Sequence, residues 1–67
     1  MFEIQWQRYS STVDTYKVRD YLFKRKKIND HTVYEIWKGG ILEVSNLKYF
    51  DFIAAAKAIV TNEFGYA

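Results

Sequence analysis

The sequence of 67 residues contains no cysteine and no proline, and its glycines stand only at positions 39, 40 and 65. The absence of cysteine excludes disulfide bonds and cysteine-based metal sites. No apolar run approaches the roughly 20 residues that a membrane-spanning helix requires, and the first residues lack the layout of a signal peptide. We therefore expect a soluble, unprocessed protein that is complete from Met1 and resides in the cytoplasm, or in the host cytoplasm if the protein is viral.

The composition is that of a small folded domain. Hydrophobic residues make up 49% of the chain and aromatic residues 19%, which is far from the composition of disordered proteins. A chain this short forms at most one domain, residues 1–67, and buries only about 60% of the surface that it exposes when unfolded. We expect that domain to be marginally stable.

Four segments are predicted as β-strands. Apolar Phe2, Ile4 and Trp6 alternate with polar residues, so residues 2–9 are expected to form a strand with one buried face, followed by a polar turn over 10–15. Residues 16–27 are rich in Tyr, Val and Phe, which favour strands. A helix capped near Ser11 is the alternative there, but its apolar side chains would scatter around the helix axis. Residues 32–38 and 41–45 are the third and fourth predicted strands.

The turn at Asn29–Asp30 sets the expected pairing of the second and third strands. Asn and Asp tolerate left-handed backbone, and a two-residue loop there would place apolar residues opposite apolar ones and a cation opposite an anion. The predicted pairs are Phe23–Ile36, Lys24–Glu35 and Leu22–Trp37.

The turn at Gly39–Gly40 allows two registers. A two-residue loop would put Ile36 opposite Glu43, whereas a three-residue loop from Lys38 to Gly40 would put Ile36 opposite Leu42 and Tyr34 opposite Val44. We prefer the three-residue loop, with a glycine in a left-handed bulge position. The expected core face is then Tyr34, Ile36, Leu42 and Val44, and the expected outer face is Glu35, Trp37, Ile41 and Glu43.

Residues 47–63 carry the clearest helical pattern, with apolar residues at three- and four-residue steps. Asn46 is the expected N-cap and Gly65 the expected end. The sequence therefore predicts an α+β fold, a small antiparallel sheet of three to four strands in the order β-β-β-β-α, with one C-terminal helix packed on one face.

Positive charge is concentrated in residues 17–27, which hold six basic residues and one acid, whereas the rest of the chain holds four basic residues and seven acids. Lys24 to Lys27 are expected at an exposed hairpin tip, with His31 across the turn. Such a cluster can engage phosphates or an acidic protein surface. The alternative is a solvated tip whose charges prevent aggregation.

The outer face of the sheet is the second candidate site, because a single helix can cover only one face. A tryptophan beside aliphatic residues and ringed by charge resembles an interaction hot spot. The alternative is that strand parity is inverted and Trp37 belongs to the core. The predicted partner-binding residues are Leu22, Trp37 and Ile41 with Tyr21, Lys24, Arg25, Lys26 and Lys27.

Catalysis is not expected. His31 is the only histidine, no carboxylates are patterned around it for a metal, and no nucleophile–base pair or phosphate-binding loop stands out. We therefore expect neither a cofactor nor a metal. Alanines at 54, 55 and 58 would let a second helix approach, which allows a weak homodimer, although alanine is also simply the best helix former.

The element order resembles the sheet-plus-helix arm-binding domains of phage and transposon integrases. The resemblance rests on Lys17, Arg19, Lys24 and Arg25 in a strand and on a helix from Lys48. It implies that one face of the sheet enters a DNA groove. The acidic Glu35 and Glu43 on the outer face do not fit that implication. In size the chain also resembles short phage proteins that bind and block host machinery.

Two functional hypotheses follow. The first is a non-enzymatic protein that docks on a protein partner with an acidic or nucleic-acid-binding surface, through the open sheet face and the basic hairpin, and blocks it. The second is direct nucleic-acid binding, with contacts from Lys17, Arg19, Lys24, Arg25, Lys26 and Lys27. No membrane partner is expected.

Overall fold

The chain forms a five-stranded antiparallel sheet followed by one helix, in a computed structural model that describes residues 2–65. The order of strands in the sheet follows the order in the chain. The predicted α+β fold is confirmed, with one strand more than expected. The elements are β1 (Gln7–Arg8), β2 (Val13–Val18), β3 (Tyr21–Ile28), β4 (His31–Lys38), β5 (Ile41–Leu47) and α1 (Tyr49–Phe64).

The additional strand arises because residues 16–27, predicted as one strand, are divided between β2 and β3. The turn between them contains Arg19, whose φ of 53° lies in the left-handed region that a residue other than glycine seldom adopts. The carbonyl oxygen of Asp20 accepts a hydrogen bond of 3.0 Å from the Gly39 amide of the neighbouring turn. This turn contains neither Gly nor Asn, and the sequence does not reveal its hydrogen bond to Gly39, so the turn was not predicted.

The amino-terminal segment forms less strand than predicted, since only Gln7–Arg8 pairs with β2. Phe2, Ile4 and Trp6 are nevertheless half-buried and pack against the core, while Glu3 and Gln5 are exposed. The alternation was therefore a correct indication of which side chains are buried. The same pattern did not require backbone pairing, because Phe2, Ile4 and Trp6 are held against the core by their side chains.

The predicted register of β3 against β4 is confirmed. Asn29 takes a φ of 56°, so the connection is a two-residue turn. The observed partners include Phe23–Ile36, Lys24–Glu35 and Leu22–Trp37.

The predicted register of β4 against β5 is wrong. Gly39 and Gly40 have φ of 57° and 81°, and positive φ at both central positions suits a two-residue type I′ hairpin turn. Two irregularities then shift the ladder, so that β5 contains extra residues relative to β4. The observed partners are Lys38–Ile41, Trp37–Leu42, Ile36–Val44 and Tyr34–Leu47.

This register moves two side chains to the face opposite the predicted one, because directly opposed residues share a face. Leu42, expected in the core, lies on the same face as Trp37. Ile41, expected beside Trp37, lies opposite Lys38 and therefore on the helix side. Val44 and Leu47 also lie on the helix side, opposite buried Ile36 and Tyr34.

Helix α1 ends as predicted and begins later than predicted. Gly65 has a φ of 72° and its amide donates to the Thr61 carbonyl oxygen, which closes the helix. The N-cap is Lys48, without a side-chain cap bond, so the prediction of Asn46 is wrong; Asn46 has a φ of 57° within β5. Among residues 2–65, no helix has the length and hydropathy needed to cross a membrane.

The core lies between α1 and one face of the sheet and is centred on Phe52. The Phe52 ring stacks on Tyr34 at 4.6 Å between centroids, meets Phe23 edge-on at 5.6 Å and stacks on Trp6 at 5.8 Å. Phe23 and Phe52 are the largest fully buried side chains. One aromatic residue thus joins the helix, the central strands and the amino-terminal segment. The other buried residues are Val18, Ile36 and Ala56.

We expect Phe52→Ala to unfold most of the protein. Truncating a buried phenylalanine costs about 3–5 kcal/mol, which is as large as the whole stability of many domains of this size. Phe50 is 83% exposed on the same helix, so Phe50→Ala should change stability by less than about 0.5 kcal/mol. Urea unfolding followed by circular dichroism measures both. A Phe52→Ala transition close to that of the wild type would contradict this placement of the core.

Tyr34 should make stability depend on pH in the alkaline range. Burial raises the pKa of its phenol above the ordinary value of 10.0, against the opposing charge of Arg25. The unfolded chain then loses this proton first, so the contribution of Tyr34 is complete below about pH 10 and is lost as pH rises through the folded pKa.

The measurement is the urea midpoint between about pH 8 and 11. The urea midpoint of Tyr34→Phe should decline less over this pH range than that of the wild type. Tyr9 is 75% exposed, and Tyr9→Phe should decline like the wild type. Equal declines in all three proteins would show that Tyr34 is not the responsible group.

Candidate binding face of the sheet

The outer face of the sheet, defined as the face opposite α1, is assigned by the registers because cross-strand partners share a face. The core residues Val18, Phe23, Tyr34 and Ile36 lie on the other face, against the helix. Within residues 2–65, no helix covers the outer face. Its three central rows are Lys17–Leu22–Trp37–Leu42, then Gln7–Thr15–Lys24–Glu35, then Val13–Lys26–Val33.

Trp37 is the largest side chain of this face. It is half-buried between its two cross-strand partners Leu22 and Leu42. The ammonium of Lys24 lies 4.5 Å from the centroid of its ring, within cation–π distance. Its Nε1–H donates a hydrogen bond of 3.0 Å to the Glu35 carboxylate. The indole is therefore held in one orientation by its neighbours on the face.

Glu35 joins Trp37 to the basic residues. One carboxylate oxygen accepts from Trp37, and the other accepts from the Lys26 ammonium at 3.3 Å. The Glu35 side chain is only 12% exposed although no helix covers it. A carboxylate this shielded needs its partners, because burying an unpaired charge is unfavourable. Glu35, whose negative charge departs from the DNA-binding resemblance, supports the indole of Trp37 here.

The charge of the outer face is positive. Its three central rows contain three lysines, at 17, 24 and 26, and one acid, Glu35, which gives these rows a net formal charge of +2. Lys26 is partly neutralised by its ion pair with Glu35. A partner surface that carries acids around an apolar residue would complement this face in both charge and polarity.

The run Lys24 to Lys27 does not lie at a hairpin tip as predicted. It occupies the central strand of the sheet, and strand alternation divides it between the two faces. Arg25 lies on the helix side, where it contacts Asp14 at 2.7 Å and the Trp6 ring at 4.8 Å. Lys27 is exposed near the end of β3, opposite Thr32. Only Lys24 and Lys26 of this run belong to the outer face.

Three further predicted site residues lie away from the outer face. Arg19 turns to the helix, with Glu63 at 3.9 Å and the Phe64 ring at 4.9 Å. Tyr21 and Ile41 are both placed by their pairing with Lys38 on the helix side, and the Lys38 ammonium lies 5.2 Å from the Tyr21 ring. Leu42 takes the position beside Trp37 that was predicted for Ile41. A two-residue Gly39–Gly40 turn, if preferred, would have indicated this exchange.

A cleft of about 320 Å³ borders the outer face where the turn at Arg19–Asp20 meets the turn at Gly39–Gly40. The Asp20–Gly39 backbone hydrogen bond spans these turns. The cleft is open to solvent, and Lys17 and Leu22 of the Trp37 row are part of its lining. It is lined by Lys17, Arg19, Asp20, Tyr21, Leu22, Gly39 and Gly40.

His31, the lone histidine, is exposed at the start of β4. Within residues 2–65, no group of three histidine, aspartate or glutamate side chains is arranged to hold a metal ion.

No protein-family model matches this chain, and no curated protein or solved structure does either. Any functional proposal therefore depends on the residues and contacts of the chain itself.

The hydrogen bond between Trp37 and Glu35 gives a direct test of the site geometry. We expect Glu35→Ala to move the Trp37 indole N–H resonance and to speed its exchange with water, because the acceptor is lost. Glu35→Gln keeps an acceptor oxygen, so it should largely preserve that resonance while breaking the ion pair with Lys26.

Two-dimensional NMR of the indole N–H groups measures this, with the Trp6 signal as an internal control. The stability change in Glu35→Gln should be below about 1 kcal/mol, since partly exposed ion pairs contribute little. An unchanged Trp37 resonance in Glu35→Ala would contradict the contact.

Proposed function

We propose that this chain is a non-enzymatic binding protein that docks on another protein through the outer face of its sheet. The observation that carries the proposal is Trp37, a large aromatic held between Leu22 and Leu42 by Lys24 and Glu35 on a face that no described element covers. Tryptophan is among the residues most enriched at binding hot spots, where a few central side chains supply most of the affinity.

The support of Trp37 by its neighbours favours a binding role over a purely structural one. A side chain that is already ordered loses less conformational entropy on binding, which raises affinity without any new contact. The cation–π contact and the indole hydrogen bond both fix Trp37 before a partner arrives. The core contacts of the helix are made on the opposite face.

The chemistry of the partner follows from the charge of the face. Lys17 stands at the end of the Trp37 row, and Lys24 and Lys26 stand in the two rows beside it. We propose that these lysines meet acidic residues of the partner while its apolar side chains pack on Trp37. Charges at the rim accelerate association and discriminate between partners more than they raise affinity. The partner is thus a protein surface with acids around an exposed hydrophobic residue.

The consequence of docking would be occlusion. A sheet face is broad and nearly flat, and it presents no enclosed site for chemistry, so its most direct effect is to cover the partner's surface. This mode of action is that of the short phage inhibitors that the chain resembles in size. We propose it in that sense, as competition for a surface that the partner uses elsewhere.

Direct nucleic-acid binding is less well supported. Of the six basic residues proposed for it, Arg25 is paired with Asp14, Lys26 with Glu35 and Arg19 with Glu63. The six are distributed over both faces and one turn, whereas dedicated nucleic-acid binders carry their charge on one surface. Phosphate binding remains the alternative outcome of the test below.

The test uses short synthetic peptides in which Glu alternates with Leu as the probe, and peptides in which Lys alternates with Leu as the control. We expect the intact protein to bind the acidic peptides selectively, as followed by tryptophan fluorescence and calorimetry. Trp37→Ala should weaken this binding by about tenfold or more, as loss of a hot-spot residue does. Tyr9→Ala, which removes an exposed aromatic from the turn after β1, should leave it unchanged.

A charge control separates the lysines of the face from the total charge. Lys24→Glu should weaken binding of the acidic peptides, and Lys57→Glu on the exposed side of α1 should have little effect. Equal binding of acidic and basic peptides would contradict the proposal. Binding of short DNA or RNA that falls steeply between low and moderate salt, without peptide binding, would replace it with the nucleic-acid alternative.

A further inference from the structure

The two edges of the sheet are unlike each other. The β1 edge pairs over only two residues, Gln7 and Arg8, both of them polar and exposed. The β5 edge has seven residues, of which all but Leu47 are exposed, including Ile41 at 67% and Val44 at 42%. An edge strand points half of its backbone hydrogen-bonding groups away from the sheet, and apolar side chains on such a strand invite a further strand.

The β5 edge also lacks the lysine and proline residues that commonly protect an exposed edge. Proteins commonly block an exposed edge with lysine or proline, and residues 41–47 contain neither, with Glu43 as the single charge. Bulges are another protective device, and β5 has two irregularities against β4. Their positions therefore decide whether a second strand can fit.

The irregularities of β5 lie on the two sides of Val44. One lies between Leu42 and Val44 and the other between Val44 and Leu47. As a result the helix-side residues of β5 are spaced three apart, at Ile41, Val44 and Leu47, in place of the usual spacing of two. A second β5 strand that runs antiparallel with Val44 opposite Val44 would carry its own irregularities opposite these.

That register is complementary in side chains as well. Ile41 of each copy would face Leu47 of the other, next to the Tyr49 ring that packs on Tyr34 at 5.9 Å. Val44 would face Val44, so the helix-side row is apolar throughout. Glu43 would face Ser45, which avoids the repulsion of two opposed glutamates that a register centred on Glu43 would create.

We infer that two copies of this chain associate through their β5 edges, antiparallel and centred on Val44, to form one continuous ten-stranded sheet. The two-fold axis of such a pair is perpendicular to the sheet, so both helices lie on one face and both Trp37 side chains on the other. The contact is isologous and closes as a dimer. The short polar β1 edges at the two ends offer little for further growth.

The association is tested on the intact chain by sedimentation equilibrium over a range of concentrations. We expect a species of twice the 8.0 kDa chain mass at high concentration. Val44→Lys places two like charges at the centre of the contact and should raise the dimer dissociation constant by about tenfold or more. Ile28→Lys, at an exposed position at the far end of β3, is the matched control and should dimerise like the wild type.

A second pair of variants tests the register. Ser45→Arg places a cation opposite Glu43 of the second copy and should tighten the dimer roughly two- to tenfold, whereas Ser45→Glu should weaken it by a similar factor. Circular dichroism checks that all variants fold. A wild type that is monomeric at every concentration, a Val44→Lys dimer as tight as the control, or equal effects of the two Ser45 variants would each overturn the inference.

Discussion

The packing of Phe52 against Tyr34, Phe23 and Trp6 is the interaction on which the rest of this structure depends. It attaches the only helix of the described residues to one face of a five-stranded sheet. A helix of 16 residues cannot cover both faces, and residues 2–65 contain no further helix to cover the second. The topology of the described residues therefore leaves the outer face uncovered, and the composition of that face has to be compatible with water.

The lysines of β3 illustrate how the sheet meets this requirement. Alternation places Lys24 and Lys26 on the outer face and Arg25 on the helix side, where Asp14 neutralises it. On the outer face, the aliphatic stems of lysine can cover apolar neighbours while their ammonium groups stay in water. A run of basic residues that appears in the sequence as one cluster thus performs two separate tasks, one for the fold and one for the exposed surface.

Much of the fold was predictable, and the misses have particular causes. Asn29–Asp30, with Lys24 and Glu35 in complementary positions, was sufficient to place β3 against β4. The turn at Arg19 was missed because its left-handed residue is not one that favours that conformation. The face of Trp37 was predicted correctly, but its neighbour Leu42 was not, because a three-residue loop was preferred to the two-residue turn that Gly39 and Gly40 form. The bulges farther along β5 were missed because they respond to packing between strands, which a single sequence does not reveal.

The register of β5 connects the two surfaces proposed for this protein. The two-residue Gly39–Gly40 turn places Leu42 beside Trp37 and so builds the apolar row of the outer face, and the irregularities that follow it leave Val44 and Leu47 on the helix side with Ile41. They also create the three-residue spacing that makes the β5 edge complementary to itself. A pair of chains joined at that edge would present two Trp37 sites on one surface, and two linked sites bind a repeated or extended partner more tightly than one site does. Both surfaces thus depend on the register of one strand, β5.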